Sequence, residues 1–331
     1  MRNKDFYPQF RAVLCEIEAW LQERDVDETH HRLMQRALGK LRRDFLADKV
    51  FPAMVVPTLA WQALGRQESD ALYVLNAAHF LFYAFLDLTD DVEDHELSDP
   101  LWQQLGEPLA INAGTSLLFA ALLMLDRLEK AGIRQKRIEQ LRRLFSEAGW
   151  ALTIGQHRDL ASWRWQDLDT AFVLETHRLK TGTSVRLYLE SAALLAGAKP
   201  AQQQHFAALG QNLGLMVQIL GDWLNLQQPL SSDLKNHCQS LPLVLLRQQL
   251  PLTDADTFQA AWTGAADPST ALAANTVIRH LLHKHAIAGP MNALLSHYRQ
   301  RALEELERLR RSGCEVEEIR GFIGRFGKIS E

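Results

Sequence analysis

Helical periodicity runs through almost all of this 331-residue chain: apolar residues recur three and four apart, and no stretch alternates with period two for long enough to make a strand. That pattern confines the fold to packed helices. Predicted helices lie near 5–23, 28–45, 50–64, 70–96, 108–131, 134–157, 167–197, 201–226, 240–249, 254–264, 268–287 and 290–312, with a short last one. Turn and stop residues separate several of them, at Ser98-Asp99-Pro100, Gly132, Ala198-Lys199-Pro200, Gln228-Pro229 and Gly289-Pro290. Composition agrees, because the breakers Gly and Pro number only 18 and 11. No linker, low-complexity segment or internal repeat interrupts the pattern. Segments 74–86, 108–125 and 206–221 are apolar around most of their circumference, as befits helices in the middle of a large bundle. The expectation is one all-α domain over 1–331, its helices ringed around a central cavity.

Charge excludes several classes of partner. With 36 basic and 40 acidic side chains and a net charge of -4, no global field draws nucleic acid or anionic lipid. The three cysteines, Cys15, Cys238 and Cys314, are odd in number and share no metal-ligand spacing, so neither a disulfide scaffold nor a zinc site is expected. The opening MRNKDFYPQF lacks the apolar stretch of a signal peptide, so a reduced cytoplasmic protein is expected. Pro108 to Leu125 carries no charge and ends in LLFAALLML. A membrane span needs about 20 predominantly apolar residues, and Asn112, Gly114, Thr115 and Ser116 interrupt this one. It is expected to be a core helix, without stable membrane insertion.

The most informative residues are Asp87 to Glu96, DLTDDVEDHE, with six carboxylates. On a helix Asp90 and Asp94 are four apart and Asp91 and Asp94 three apart, so the three share a side. Like charges at those spacings repel, and no Lys or Arg occurs from Gln67 to Asp126 to offset them. The approach, VLNAAHFLFYAFL, is strongly apolar. A solvated helix end would show alternating charge signs and a polar approach. Carboxylates clustered without a base suit a hard divalent ion such as Mg²⁺, which takes a few carboxylates plus phosphate oxygens.

A possible partner lies in GLMVQILGDWLNL, where Gln218, Asp222 and Asn225 place oxygen ligands on one stripe of an apolar helix. Between the two acidic helices, ETHRLKTGTSV offers Lys180 beside Thr181, Gly182 and Thr183. A lysine with a neighbouring hydroxyl suits a phosphate group, the ammonium as a point charge and the hydroxyl as donor.

At this point the chain resembles the trans-isoprenyl diphosphate synthase, or polyprenyl synthetase, family of the class I isoprenoid synthase fold. Residues 90–94 match its first aspartate-rich motif, DDxxD, in full. Gly155-Gln156 with Asp159-Leu160 looks like GQxxDL, and Lys180-Thr181 like its KT pair. Gln218 to Asn225 stands in the place of the second motif, QxxDDxxD, while Ser232-Asp233-Leu234 and Ser240-Leu241-Pro242 resemble the DL…TLP stretch after it. The match covers roughly residues 45–250. Departures are concentrated in two places. In the second motif Gly221 and Asn225 replace the first and third aspartates, leaving Asp222. The arginines that follow DDxxD give way to Asp99-Pro100. The early GGKRxRP motif is placed on LADKVFP, 46–52, keeping Lys49 and Pro52; Tyr83 stands for a histidine and Cys238 for a lysine.

The resemblance implies a Mg²⁺-dependent enzyme acting on an allylic prenyl diphosphate. Asp90, Asp91 and Asp94, facing Asp222 and Asn225 across a cavity, would hold metal; Lys49, Lys180, Thr181 and Gln218 would hold substrate; Asp90, Asp91, Asp94 and Lys180 would carry catalysis. Thinned basic motifs imply a degenerate isopentenyl diphosphate site, because each charge-assisted contact contributes roughly 1.5–3 kcal/mol. A terpene synthase or cyclase using the same ionisation site, and a non-catalytic subunit of an active prenyl synthase, are the alternatives. Phe85 and Leu86, about one turn before DDxxD, would act as a floor limiting the chain to C10–C15, with core packing the competing role for Phe85. A homodimer is expected.

Overall fold

The computed structural model describes residues 6–24, 27–46, 52–95, 97, 99–161 and 169–329, and among them no strand occurs. In chain order the helices begin with α1 (Tyr7–Gln22), α2 (Glu28–Ala37), α3 (Gly39–Leu46), α4 (Pro52–Ala63), α5 (Asp70–Glu93), α6 (Pro100–Leu105) and α7 (Glu107–Met124). There follow α8 (Gln135–Ala161), α9 (Thr170–His177), α10 (Thr183–Ala196), α11 (Pro200–Leu226), α12 (Ser232–Lys235) and α13 (Leu241–Gln249). The last are α14 (Leu252–Gly264), α15 (Ala271–Lys284), α16 (Ala288–Arg311) and α17 (Glu317–Gly324). A 3₁₀ turn, Leu125–Glu129, continues α7.

The all-α expectation is met, with local differences that have physical causes. The stretch 28–45 is two helices, broken at Leu38 before Gly39, the poorest helix former there. The stretch 167–197 is also two, separated by a π-helical segment, Arg178–Gly182. Two short helices, α6 and α12, lie where no periodicity could build up. Side-chain caps start both: Asp99 accepts from Leu101 N–H at 2.9 Å and Ser231 from Leu234 N–H at 3.3 Å.

The chain divides into two compact units. The first comprises Met1–Glu147, Leu187–Ala207 and Arg308–Ile319. Helix α5 is its centre: Leu72, Leu75, Ala77, Ala78, Phe80 and Leu81 are buried, and the helix packs chiefly on α7, then on α1 and α4. The Phe10 ring stacks on Phe45 at 4.0 Å between centroids and meets Phe80 edge-on at 5.8 Å. Polar side chains run through this core. Asn76 Nδ2 donates to Thr58 Oγ1 at 3.1 Å, and His79 Nε2 shares a 2.8 Å hydrogen bond with Ser191 Oγ while its ring stacks on Phe145. Burial lowers the His79 pKa to about 3, so the ring is neutral at physiological pH.

Two segments of this unit, Asp70–Glu93 and Glu107–Glu129, are long and apolar enough to cross a membrane by length and composition. The α5 window is 72% buried, but that of α7 only 44%. On α7, Ile111 and Phe119 are 56% and 58% exposed.

The second unit comprises Ala148–Arg186, Ala208–Glu307 and Arg320–Glu331. Here α13 is apolar on every side, with Leu241, Leu243, Val244 and Leu246 buried. It packs on α9 and α15, and α14 packs on α15.

Candidate functional site

The acidic stretch of the first unit closes α5. Asp90 is exposed, Asp91 half-buried, and Asp94 is the C-cap residue, its N–H donating to Asp90 C=O at 2.9 Å. His95 then turns the chain through a left-handed conformation, φ 56°. A helix C-terminus already carries about half a negative charge, so carboxylates gathered there are disfavoured twice, by the dipole and by one another. A positive charge arrives from a remote segment: Lys40 of α3 donates to Asp87 Oδ2 at 2.8 Å and Asp91 Oδ2 at 2.9 Å. Burial alone would depress the Lys40 ammonium, but Asp87 and Asp91 outweigh it and hold its pKa above the ordinary lysine range. Burial raises the Asp87 pKa, with Lys40 opposing. It likewise raises that of the neighbouring Tyr83 hydroxyl, with the Asp87 charge adding to it.

Arg43, one turn along α3, pairs with Asp99 Oδ2 at 2.6 Å. Sequence reading missed both α3 cations, having placed the early basic motif on 46–52. The signal was present, since Gly39-Lys40 followed by Arg43 keeps the G-K-x-x-R spacing of GGKRxRP. Lys49 lies outside the described residues. Phe85 and Leu86 are half-buried. The Phe85 ring lies 5.9 Å from that of Phe82, and a Cβ on Gly114 of α7 would meet Phe85 at 3.9 Å. Five residues before Asp90, Phe85 stands roughly 140° away around the helix, on the side that packs against α7.

In the second unit the KT pair sits in the π-helical segment, where Lys180 has φ -83°, ψ -105°. Such single-turn bulges are frequent at functional sites. Glycines on two helices let this backbone approach closely. A Cβ on Gly155 of α8 would fall 2.9 Å from both Leu179 Cβ and Lys180 Cγ, and one on Gly214 of α11 would fall 2.4 Å from the Thr181 carbonyl oxygen. Lys180 forms an ion pair with Asp159 of the GQxxDL stretch. The Thr181 hydroxyl donates to Gln218 Oε1.

Gln218 Nε2 in turn donates to Asp222 Oδ1 at 2.9 Å. Asp222 Oδ2 accepts from Leu241 N–H at 2.9 Å and lies 3.1 Å from Nε2 of His177, a residue that sequence reading passed over. Burial raises the Asp222 pKa, but His177 and the hydrogen bonds from Leu241 and Gln218 together bring it below the usual carboxylate range. The nearby Asp233 carboxyl is held well above that range, by burial first and then by the Asp222 charge. Asn225 Oδ1 accepts from the Ser231 hydroxyl at 2.5 Å and from Asp233 N–H at 3.3 Å, and its Nδ2 donates to Ser232 Oγ at 2.8 Å.

These two sets of oxygens differ as metal ligands. Among the described residues no three His, Cys, Asp or Glu side chains converge closely enough to cage an ion. Mg²⁺ needs no such cage, since it is usually held by one or two carboxylates, waters and phosphate oxygens. Asp90 and Asp94, partly open at the end of α5, fit that requirement. The buried, hydrogen-bonded Asp222 does not.

Comparison with known proteins gives the family. The polyprenyl synthetase family model matches residues 31–256. The geranylfarnesyl diphosphate synthase of Aeropyrum pernix is 26% identical over 202 residues, covering 57% of this chain and 64% of that protein. A geranylgeranyl pyrophosphate synthase crystal structure superposes with TM-score 0.79 at 16% identity, over 96% of this chain and 95% of that one. A polyprenyl synthase from Caulobacter crescentus CB15, complexed with calcium and isoprenyl diphosphate, superposes with TM-score 0.75 at 19% identity, over 92% and 90% of the two chains. The helical fold is the one these structures share, and the chain belongs to the polyprenyl synthetase family.

Proposed function

We propose that this chain is a Mg²⁺-dependent isoprenoid synthase acting on an allylic prenyl diphosphate, a prenyltransferase whose isopentenyl diphosphate site is degenerate, keeping Lys40 and Arg43 of the early basic motif but holding both against protein carboxylates. The observation that carries the reading is the complete DDxxD motif at the end of apolar α5, where Asp90 is exposed and Asp94 half-buried at the negative end of the helix dipole. Asp90 and Asp94 would hold the metal, with Asp91 shared with Lys40. When bound, the metal supplies charge neutralisation for the diphosphate leaving group.

Lys180, paired with Asp159, would offer its ammonium to a diphosphate. The Thr181 hydroxyl, whose one proton goes to Gln218, would have to turn that proton toward the diphosphate. The Lys180 ammonium has three donors, so it can keep Asp159 and still stabilise charge as the allylic C–O bond ionises. Apolar side chains upstream of the acids exclude water from the cation that remains. A terpene synthase is the second reading, favoured by the pairing of Arg43 with Asp99, which spends a cation of the early basic motif on a protein carboxylate. The chain would work as one domain in the cytoplasm, and the exposed apolar residues of α7 suit pairing with a second copy.

The test is incubation of purified protein and Mg²⁺ with C10, C15 and C20 allylic diphosphates, with and without isopentenyl diphosphate. Longer prenyl diphosphates formed only with the co-substrate support the prenyltransferase. Diphosphate release with hydrocarbon or alcohol products, independent of the co-substrate, supports the terpene synthase. No turnover of any of them would defeat both readings in favour of a non-catalytic subunit.

A further inference from the structure

We infer that the second acidic motif, Gln218–Asn225, is a metal-free brace, in which a hydrogen bond from His177 occupies Asp222 where a cation would otherwise be needed. Each side-chain oxygen of Gln218, Asp222 and Asn225 already accepts at least one hydrogen bond. Asp222 is only 4% exposed, and its two oxygens take three donors: Gln218 Nε2, Leu241 N–H and His177 Nε2. A carboxylate has about four lone-pair sites. A metal would have to enter a buried site and displace these donors, leaving buried N–H groups unpaired.

Asn225 is committed as well. Its oxygen receives the Ser231 hydroxyl and Asp233 N–H, and its amide binds Ser232, so it ties the turn before α12 to the end of α11. Gln218 divides its amide between Asp222 and Thr181. What survives of the motif is therefore a chain of hydrogen bonds, His177 to Asp222 to Gln218 to Thr181, ending beside Lys180. Gly221, where an exposed acid would stand, faces open space: a Cβ there meets nothing within 4 Å. The ligand has been lost without any filling of its place. His177 is a positioning residue, 3.1 Å from Asp222 and itself buried.

The inference rests on the prenyl synthase reading for its corollary, that metal binding falls to the first motif. Its test counts ions and needs no turnover. Mn²⁺ is titrated into the full-length protein, with the free ion read by electron paramagnetic resonance. Asp222→Asn and Asn225→Ala should follow the wild-type curve within about twofold, and Gly221→Asp should bind about tenfold more tightly. A curve weakened in Asp222→Asn or Asn225→Ala and unchanged in Gly221→Asp would overturn the brace. Asp94→Asn separates the two readings: if it too follows the wild-type curve, the metal role of the first motif fails and the brace stands. His177→Ala should melt at a lower temperature than wild type, with the loss unchanged by added Mn²⁺. Restoration of the wild-type Tm by Mn²⁺ would show that an ion can take the place of His177 and would overturn the proposal.

Discussion

At the scale of single residues, the charges that matter most come from far along the chain. Lys40 is 47 residues from Asp87, yet it neutralises the inner side of the acidic cluster. Removing one partner from a partly buried pair leaves the other uncompensated, so Lys40→Met should destabilise the protein by about 1–3 kcal/mol, the exposed part of the pair tempering the full cost. The midpoint of urea unfolding measures this, and a shift below about 0.5 kcal/mol would mean the pair is merely a surface contact. Asp94→Ala and Lys180→Ala should behave differently from each other. The first should abolish Mg²⁺-dependent turnover, and the second should raise the KM for allylic diphosphate by about tenfold or more, a charge-assisted contact being worth roughly 1.5–3 kcal/mol. Full activity in Asp94→Ala would reduce the acids to a solvated helix end. The DDxxD spacing was legible in sequence because its members share one helix and repel. Lys40 was legible only through its G-K-x-x-R spacing, and its pairing with Asp87, like that of His177 with Asp222, was not, because each spans more than 40 positions and leaves no periodic trace.

Among the elements, the π-helical segment at 178–182 is what the sequence conceals best. Apolar periodicity tracks which face is buried, and one inserted residue shifts that face too little to break the pattern over 30 residues. The glycines around the segment were the better clue, although a glycine alone does not say which backbone approaches it. The structure separates them. Gly214→Ala pushes a methyl into the Thr181 carbonyl, and overpacking of this kind costs about 1–3 kcal/mol. It should lower kcat through the displaced Lys180 and Thr181. Gly221→Ala, on the same helix but facing open space, should be neutral or stabilising by up to about 1 kcal/mol, as alanine is the better helix former. Parallel thermal melts and rate measurements on the two variants test the contrast, and equal effects would discount the close approach.

For the molecule as a whole, stability should fall on the acid side for a reason that can be located. His79 is buried with a pKa near 3, below the 6.5 of an exposed histidine. Between those values the unfolded chain takes up a proton that the folded chain refuses. The stability belonging to neutral His79 is thus complete above pH 6.5 and is lost at about 1.4 kcal/mol per pH unit as pH falls toward 3. From pH 7 to 5 wild type should lose about 2 kcal/mol more than His79→Gln, in denaturant unfolding of each at both values; equal losses would place the proton elsewhere. Oligomeric state is open to a direct check as well. If Ile111 and Phe119 bury against a second copy, Phe119→Asp should convert a dimer to a monomer in light scattering, and an unchanged mass would remove α7 from the interface.

The clasp between α3 and α5 also bears on how this chain reaches its fold. With no base of its own from Gln67 to Asp126, the end of α5 gains the Lys40 ion pairs once α3 has docked. It should therefore be among the later parts of the first unit to resist exchange of its amide hydrogens during refolding, trailing the apolar middle of the same helix. Salt should narrow that interval by screening the acids from one another, so that the end of α5 no longer has to wait for a partner supplied by the beginning of the chain.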